Sequence, residues 1–218
     1  MGYISRILKA AVGLMLFGLG GYMTIQANVG LAPWDVFSMG VSMHVPLSFG
    51  TITIITSFII LLADVLIGER IGIGMIMDSL IVGSSIDLFT ALGMIPKQTD
   101  PVIGTAMVLA GLVIMGFASY LYMSAGLGCG PRDTLMVGLG KRMRRVPIGF
   151  VKVLMDAVVL SAGWLLGGPV GLGTVVSVAG AGLAMQAVYR LFRFEPRDVV
   201  HEDIITSVRN MARRLKRA

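Results

Sequence analysis

The chain has 218 residues, 56% hydrophobic and only 14% charged, with a mean hydropathy of +0.85, a composition that excludes an ordinary soluble domain and places it among integral membrane proteins. Its formal charge of +6 does not mark a nucleic-acid binder: 8 of the 18 basic residues fall between Arg190 and Arg217 and four more within 141–145, the clustering of loops that stay cytoplasmic. A single cysteine, Cys129, excludes an intrachain disulfide, and with His44 and His201 it forms no metal-ligand spacing, so neither a metal nor a cofactor is expected.

An α-helix needs roughly 20 apolar residues to cross the hydrocarbon core. The N-terminal run, with Arg6 and Lys9 ahead of an uncharged stretch, reads as a retained first span at 7–25 because no small-residue cleavage site follows. Further spans are predicted at 47–67, 72–94, 101–124, 147–167 and 170–192. Two shorter apolar stretches, 33–44 and 131–143, cover about 20 Å each at the helical rise. Each opens with Pro and has Asp two residues later, a helix-start signal, so both are expected to be short membrane helices. In 195–218, Ile204, Ile205, Val208, Met211, Ala212 and Leu215 share one helical stripe with basic residues off it, the pattern of a helix lying on the inner leaflet.

The chain repeats itself. Pro33, Asp35 and Gly40 match Pro131, Asp133 and Gly138 at one constant spacing, and Val45-Pro46 matches Val146-Pro147 after a small insertion. Gly72, Gly74 and Gly83 then match Gly171, Gly173 and Gly182. One unit is used twice, dividing the chain into a first membrane repeat at 1–96, a second at 97–194 and a cytoplasmic tail at 195–218. The basic clusters put both termini, the Lys97 loop and the 141–145 loop in the cytoplasm, with turns near 27–31, 69–70, 125–130 and 168–170 outside. Each half then makes an even number of passes, which makes the repeats parallel about an axis along the membrane normal. The expected fold is an all-α integral membrane protein: two parallel repeats of four membrane helices each, the second helix of each short, plus the C-terminal amphipathic helix.

The candidate site lies where the runs are interrupted. Gly30 and Pro33, and Gly128, Gly130 and Pro131, break the apolar pattern, and Asp35 and Asp133 open the helices that follow, either as first-turn caps or as groups lining a site. Two helix N-termini at one depth attract an anion or carboxylate, with Arg132 beside one and Trp34 at the matching place beside the other to stack an organic body. Asp78 and Asp87 lie in one span, and their repeat counterparts, Ser177 and Gln186, are polar too, which predicts a lined cavity. Lys152 and Asp156, four apart, are expected to neutralise each other, and Asp64, near a span end, to snorkel outward. The substrate-binding set is therefore Arg132, Trp34, Asp35, Asp133, Asp78, Ser177 and Gln186.

The segments Gly30-Leu-Ala-Pro-Trp-Asp35 and Gly-Cys-Gly-Pro-Arg-Asp133, with the Gly-Trp-Leu-Leu-Gly-Gly168 run and Val-Gly-Leu-Gly-Thr174, resemble the bacterial YczE-like membrane proteins, related to the YyaS/YitT group. The likeness extends to about Phe194. It implies a multipass protein of the bacterial cytoplasmic membrane, with roles proposed in transport or in support of antibiotic production, and supplies no catalytic residues. The soluble C-terminal domain of YitT-type proteins has no counterpart in the tail.

Since no nucleophile–base pair, phosphate loop or triad spacing occurs, an enzyme is not expected. The leading expectation is a secondary transporter-like protein for a small anionic or amphipathic organic molecule. The alternative is a membrane scaffold or regulator that recruits a cytoplasmic partner through its basic tail. The lipid bilayer is a partner in either case.

Overall fold

The computed structural model describes residues 3–143, 145–195 and 199. Among the described residues eight helices follow one another: α1 (Tyr3–Gln26), α2 (Pro33–Ser42), α3 (Phe49–Leu66), α4 (Ile73–Leu92), α5 (Pro101–Met123), α6 (Pro131–Arg142), α7 (Ile148–Leu165) and α8 (Leu172–Leu191). Among the described residues there is no strand. Helices α1, α3, α4, α5 and α8 are each long and apolar enough to cross a membrane. The amphipathic helix expected in the tail falls outside the described residues.

Local chemistry sets the boundaries. Proline, whose missing N–H is not needed there, occupies the first position of α2, α5 and α6. Ser48 caps α3 by accepting from the Thr51 N–H, and Asp100 caps α5 by accepting from the Val102 and Ile103 N–H groups. Gly93, left-handed at φ 59°, ends α4.

The direction of each helix follows from its contacts. Arg6, near the start of α1, donates to the carbonyls of Ala125 and Gly126 just beyond α5. At the other end of α1 the Gln98 N–H, just before α5, donates to the Gln26 carbonyl at 2.8 Å. Helices α1 and α5 are therefore antiparallel, and the two halves of the chain run in opposite directions. The parallel relation expected from the charges does not hold.

The cause lies in the short helices. The loop before α2 sits against Gly104 at the start of α5, while Gly40 near the end of α2 meets Gly163 and Leu166 at the end of α7. Both flanks of α2 thus lie at one end of the bundle, the far end. Mirroring this, the loop before α6 meets Gly74 at the start of α4, and Gly138 near the end of α6 meets Ile67 just after α3; both flanks of α6 lie at the near end, where α1 begins. Each short segment enters as a loop and leaves as a helix on the side it came from. Each half accordingly crosses the bundle three times, not four, which inverts the second half. The turns at 69–70 and 125–130 share the near end with 141–145, and the Lys97 loop lies at the far end, opposite to the expected placement.

Close helix approach is made through small residues. A Cβ on Gly13 would press on Ala118 O and Tyr122 N, and one on Gly111 on Gly20 O, so α1 and α5 form the central pair. Helix α4 packs on α1 and α8 on α5, while α2 packs on α7 and α6 on α3. One core cluster, around Leu14, Tyr122 and Leu127, fills the near half, and another, around Ala27, Val108 and Leu112, fills the far half.

The antiparallel pairing can be tested by cross-linking. With Cys129 replaced by Ser, Gln26→Cys/Gln98→Cys should form an intrachain disulfide on mild oxidation, because hydrogen-bonded backbones put the two side chains within bridging range. In a parallel arrangement these positions face opposite membrane surfaces and no bridge forms.

Candidate functional site

The N-termini of α2 and α6 approach each other from opposite ends and meet in the middle of the bundle. Extended loops bring them there. Gly30 at φ +104° and Gly128 at φ +123° adopt backbone conformations that side chains disfavour, which is why these two glycines interrupt the apolar runs. The loops are held by matching hydrogen bonds: the Gly173 N–H donates to Val29 O at 2.7 Å, and the Gly74 N–H donates to Leu127 O at 2.8 Å.

A cavity of about 200 Å³ lies between the two helix starts, walled also by α1, α3, α4, α5 and α8. Trp34, Asp35, Asp78, Arg132 and Asp133 all line it. Five of the seven residues expected to bind substrate are thus brought together, from positions up to 99 apart in the chain. The cavity holds three carboxylates and one guanidinium. Asp133 is surrounded by protein yet open to the cavity space, and it accepts a 3.4 Å hydrogen bond from the Tyr122 hydroxyl. Gly130 leaves room for Asp78: a Cβ there would stand 3.0 Å from its Oδ2.

Arg132 and Trp34 touch across the meeting point, the guanidinium carbon 4.9 Å from the ring, a cation–π contact. Among the described residues no carboxylate closes on Arg132 to ion-pair distance, so its hydrogen-bond donors stay available to a ligand. The indole is fixed from behind: its Nε1–H donates to Asp156 Oδ1 at 3.2 Å, while Lys152 pairs with Asp156 Oδ2 at 2.5 Å. The expected Lys152–Asp156 pair is present, and it has a further task that its spacing could not reveal.

The other two expected residues lie elsewhere. Ser177 is buried with its hydroxyl unpartnered but outside the cavity wall, and Gln186 is exposed on α8. Neither Asp35 nor Asp133 caps its helix; Ala32 and Gly130 hold the cap positions without a side-chain bond. Asp87 does not reach the cavity but secures the start of α3, accepting from the Ser48 hydroxyl and from the Gly50 N–H. Asp64 does not snorkel: it is 0% exposed, and neither carboxylate oxygen has a hydrogen-bond partner. Helix α6 folds back to the near end and packs on α3, meeting the chain at Ile67, one turn from Asp64.

Sequence reading missed Thr53 and Ser57 on α3 and Ser119 and Tyr122 on α5, all in the cavity wall. A signal existed: each pair is three or four residues apart, one polar face on an otherwise apolar span. Ser119 also shares a 2.7 Å hydrogen bond with Tyr189 of α8, tying that helix to the site.

The model of a family of unknown function, DUF6198, matches residues 4–190. The chain belongs to this family. It is 30% identical over 177 residues to YczE, an uncharacterized membrane protein of Bacillus subtilis, with 80% of each chain covered. An uncharacterized protein of Haemophilus influenzae is 30% identical over 173 residues, covering 79% of this chain and 78% of that one. The similarity to YyaS of Bacillus subtilis is 25% over 177 residues, or 80% of this chain and 87% of that one. No solved structure matches. The YczE-like character read from the paired motifs is thereby established, and the chain is a multipass membrane protein.

Removing the acceptor behind Trp34 tests the arrangement. Asp156→Leu should lower stability by about 1–3 kcal/mol, the cost of leaving the partly buried indole N–H and the Lys152 ammonium without their acceptor, seen as a lower unfolding midpoint in detergent. Asp156→Asn, which keeps an acceptor, should lose less.

Proposed function

We propose that this protein is a secondary transporter-like carrier that takes a small amphipathic organic molecule into its central cavity. The observation that carries the reading is the meeting of two half-helix N-termini at one cavity. Half-helices of this kind, in halves of opposite direction, recur in carriers, where positive helix ends meet anionic substrate groups near the midplane. The paired motifs favour an inverted repeat related by an axis in the membrane plane. Three carboxylates against one guanidinium argue against a bare anion and favour a ligand with charges of both signs, its anionic group on Arg132 and its cationic group among the aspartates.

The orientation that fits this reading puts the near end in the cytoplasm. Arg6, Arg70, Lys141, Arg142, Arg145, Arg190 and Arg193 gather there, against Lys97 alone in the far-end loops, the asymmetry of the positive-inside rule. In cells bearing single cysteines on a Cys129→Ser background, an impermeant thiol reagent should label position 98 from outside and reach 145 only after permeabilisation. Labelling of 145 in intact cells would reverse the orientation.

Binding is tested on purified protein in liposomes with a panel of zwitterionic amino acids, quaternary ammonium compounds and simple carboxylates. A zwitterion should bind and cross. Arg132→Gln should weaken that binding by about 1.5–3 kcal/mol, the worth of a charge-assisted hydrogen bond, while Lys97→Gln should leave it unchanged. Absence of binding and flux across the panel would favour the scaffold reading instead.

A further inference from the structure

The two halves match in backbone detail but differ in one contact. Helices α3 and α7 have 18 residues each, and α4 and α8 have 20 each. The turn after α3 has Gly68 at φ +76°, and the turn after α7 has Gly167 at φ +85°. At that register Gly50 corresponds to Gly149, Gly83 to Gly182 and Asp87 to Gln186.

In the first half these residues form a seal. Gly50 and Gly83 touch backbone to backbone, each leaving no space for a Cβ against the other's carbonyl. Asp87 accepts the Gly50 N–H at 2.9 Å together with the Ser48 hydroxyl, so α3 is capped where it crosses α4. In the second half the contact is open. A Cβ on Gly149 or on Gly182 would meet nothing within 4 Å, Gln186 is exposed, and α7 has no side-chain cap. Among the described residues α7 and α8 barely touch, although α3 and α4 pack closely. Thr53 and Ser57, in the cavity wall, correspond to Lys152 and Asp156, which lie outside it.

We infer that Gly149, Gly182 and Gln186 form a second seal, open in this conformation, which closes at the near end when α7 swings onto α8. In the closed form Gly149 seats on Gly182, and the Gln186 side-chain carbonyl accepts the free Gly149 N–H, as Asp87 does at the far end. The far-end seal is made and the near-end seal unmade, so the cavity in this state communicates with the near end. This inference rests on the carrier reading for its purpose, but the motion itself is independent of what is carried.

The test uses the full chain in liposomes with Cys129→Ser and the pair Gly149→Cys/Gly182→Cys; both positions have room for the side chain in this conformation, and a disulfide forms at a Cα separation of about 5.5 Å, as α7 approaches α8 and before the backbones would touch. Mild oxidation should produce a cross-link within one chain, and Gln186→Ala should lower its rate severalfold. Absence of an intrachain cross-link, or one formed only between two chains, overturns the proposal. A second variant, Gly182→Trp, wedges the seal: it should abolish flux of any zwitterion the wild type carries while leaving binding in place, and undiminished flux also overturns the proposal. If the double-cysteine variant cross-links but the wild type carries nothing, the motion is retained and the carrier reading removed; if the wild type is a carrier but the double-cysteine variant fails to cross-link, the reverse holds.

Discussion

Inside an apolar layer, an extended loop carries backbone N–H and C=O groups that lipid cannot satisfy, so irregular backbone persists there only when protein supplies the partners. The loops before α2 and α6 meet this constraint through the opposite half of the chain. Val29 O accepts from Gly173 at the start of α8, and Leu127 O accepts from Gly74 at the start of α4. Each loop is held by hydrogen bonds to the other half. The close passage also explains the glycines, since a Cβ on Gly74 or Gly173 would press into the loop it secures. Once the loops are anchored, the first turns of α2 and α6 face each other, and their side chains define the cavity. The chain thus positions its central charged residues by a mutual exchange of backbone hydrogen bonds between halves.

The polar residues in the bundle divide into those that hold the frame and those that face the cavity. Asp87 and Asp100 secure helix starts, and Asp156 orients Trp34 while neutralised by Lys152. Asp35, Asp78 and Asp133 face the cavity with Arg132. Ionised side chains cost a few kcal/mol on membrane insertion, so three carboxylates around one shared space are hard to explain as packing. Asp64 stands apart, enclosed at the α3–α6 side with both oxygens unpartnered.

Much of the site was legible in the sequence because its residues follow apolar runs broken by glycine and proline at matching places. Trp34, Asp35, Arg132 and Asp133 are flagged by that pattern alone, and Asp78 by being a carboxylate inside an apolar span. The direction of the second half was not legible in the same way. Stretches of 10 and 12 helical residues are about 15–18 Å long, too short to cross, and counting them as passes gave each half an even number. The basic residues did not correct the error, because Arg70 and Lys97 each stand almost alone in a short loop. The Trp34–Asp156 hydrogen bond joins residues 122 apart, and no local spacing announces it.

Helices α2 and α6 are half-helices rooted at opposite ends of the bundle. Spin labels on Met43→Cys and Met143→Cys, just beyond α2 and α6, measure this directly by pulsed electron resonance in liposomes with Cys129→Ser. Two short helices laid N-terminus to N-terminus across the hydrocarbon core place the labels on the order of 30 Å apart or more, in opposite leaflets. A separation below about 20 Å, with both labels quenched from the same side by an impermeant relaxation agent, would mean that the short helices end on one face, and it would contradict the account.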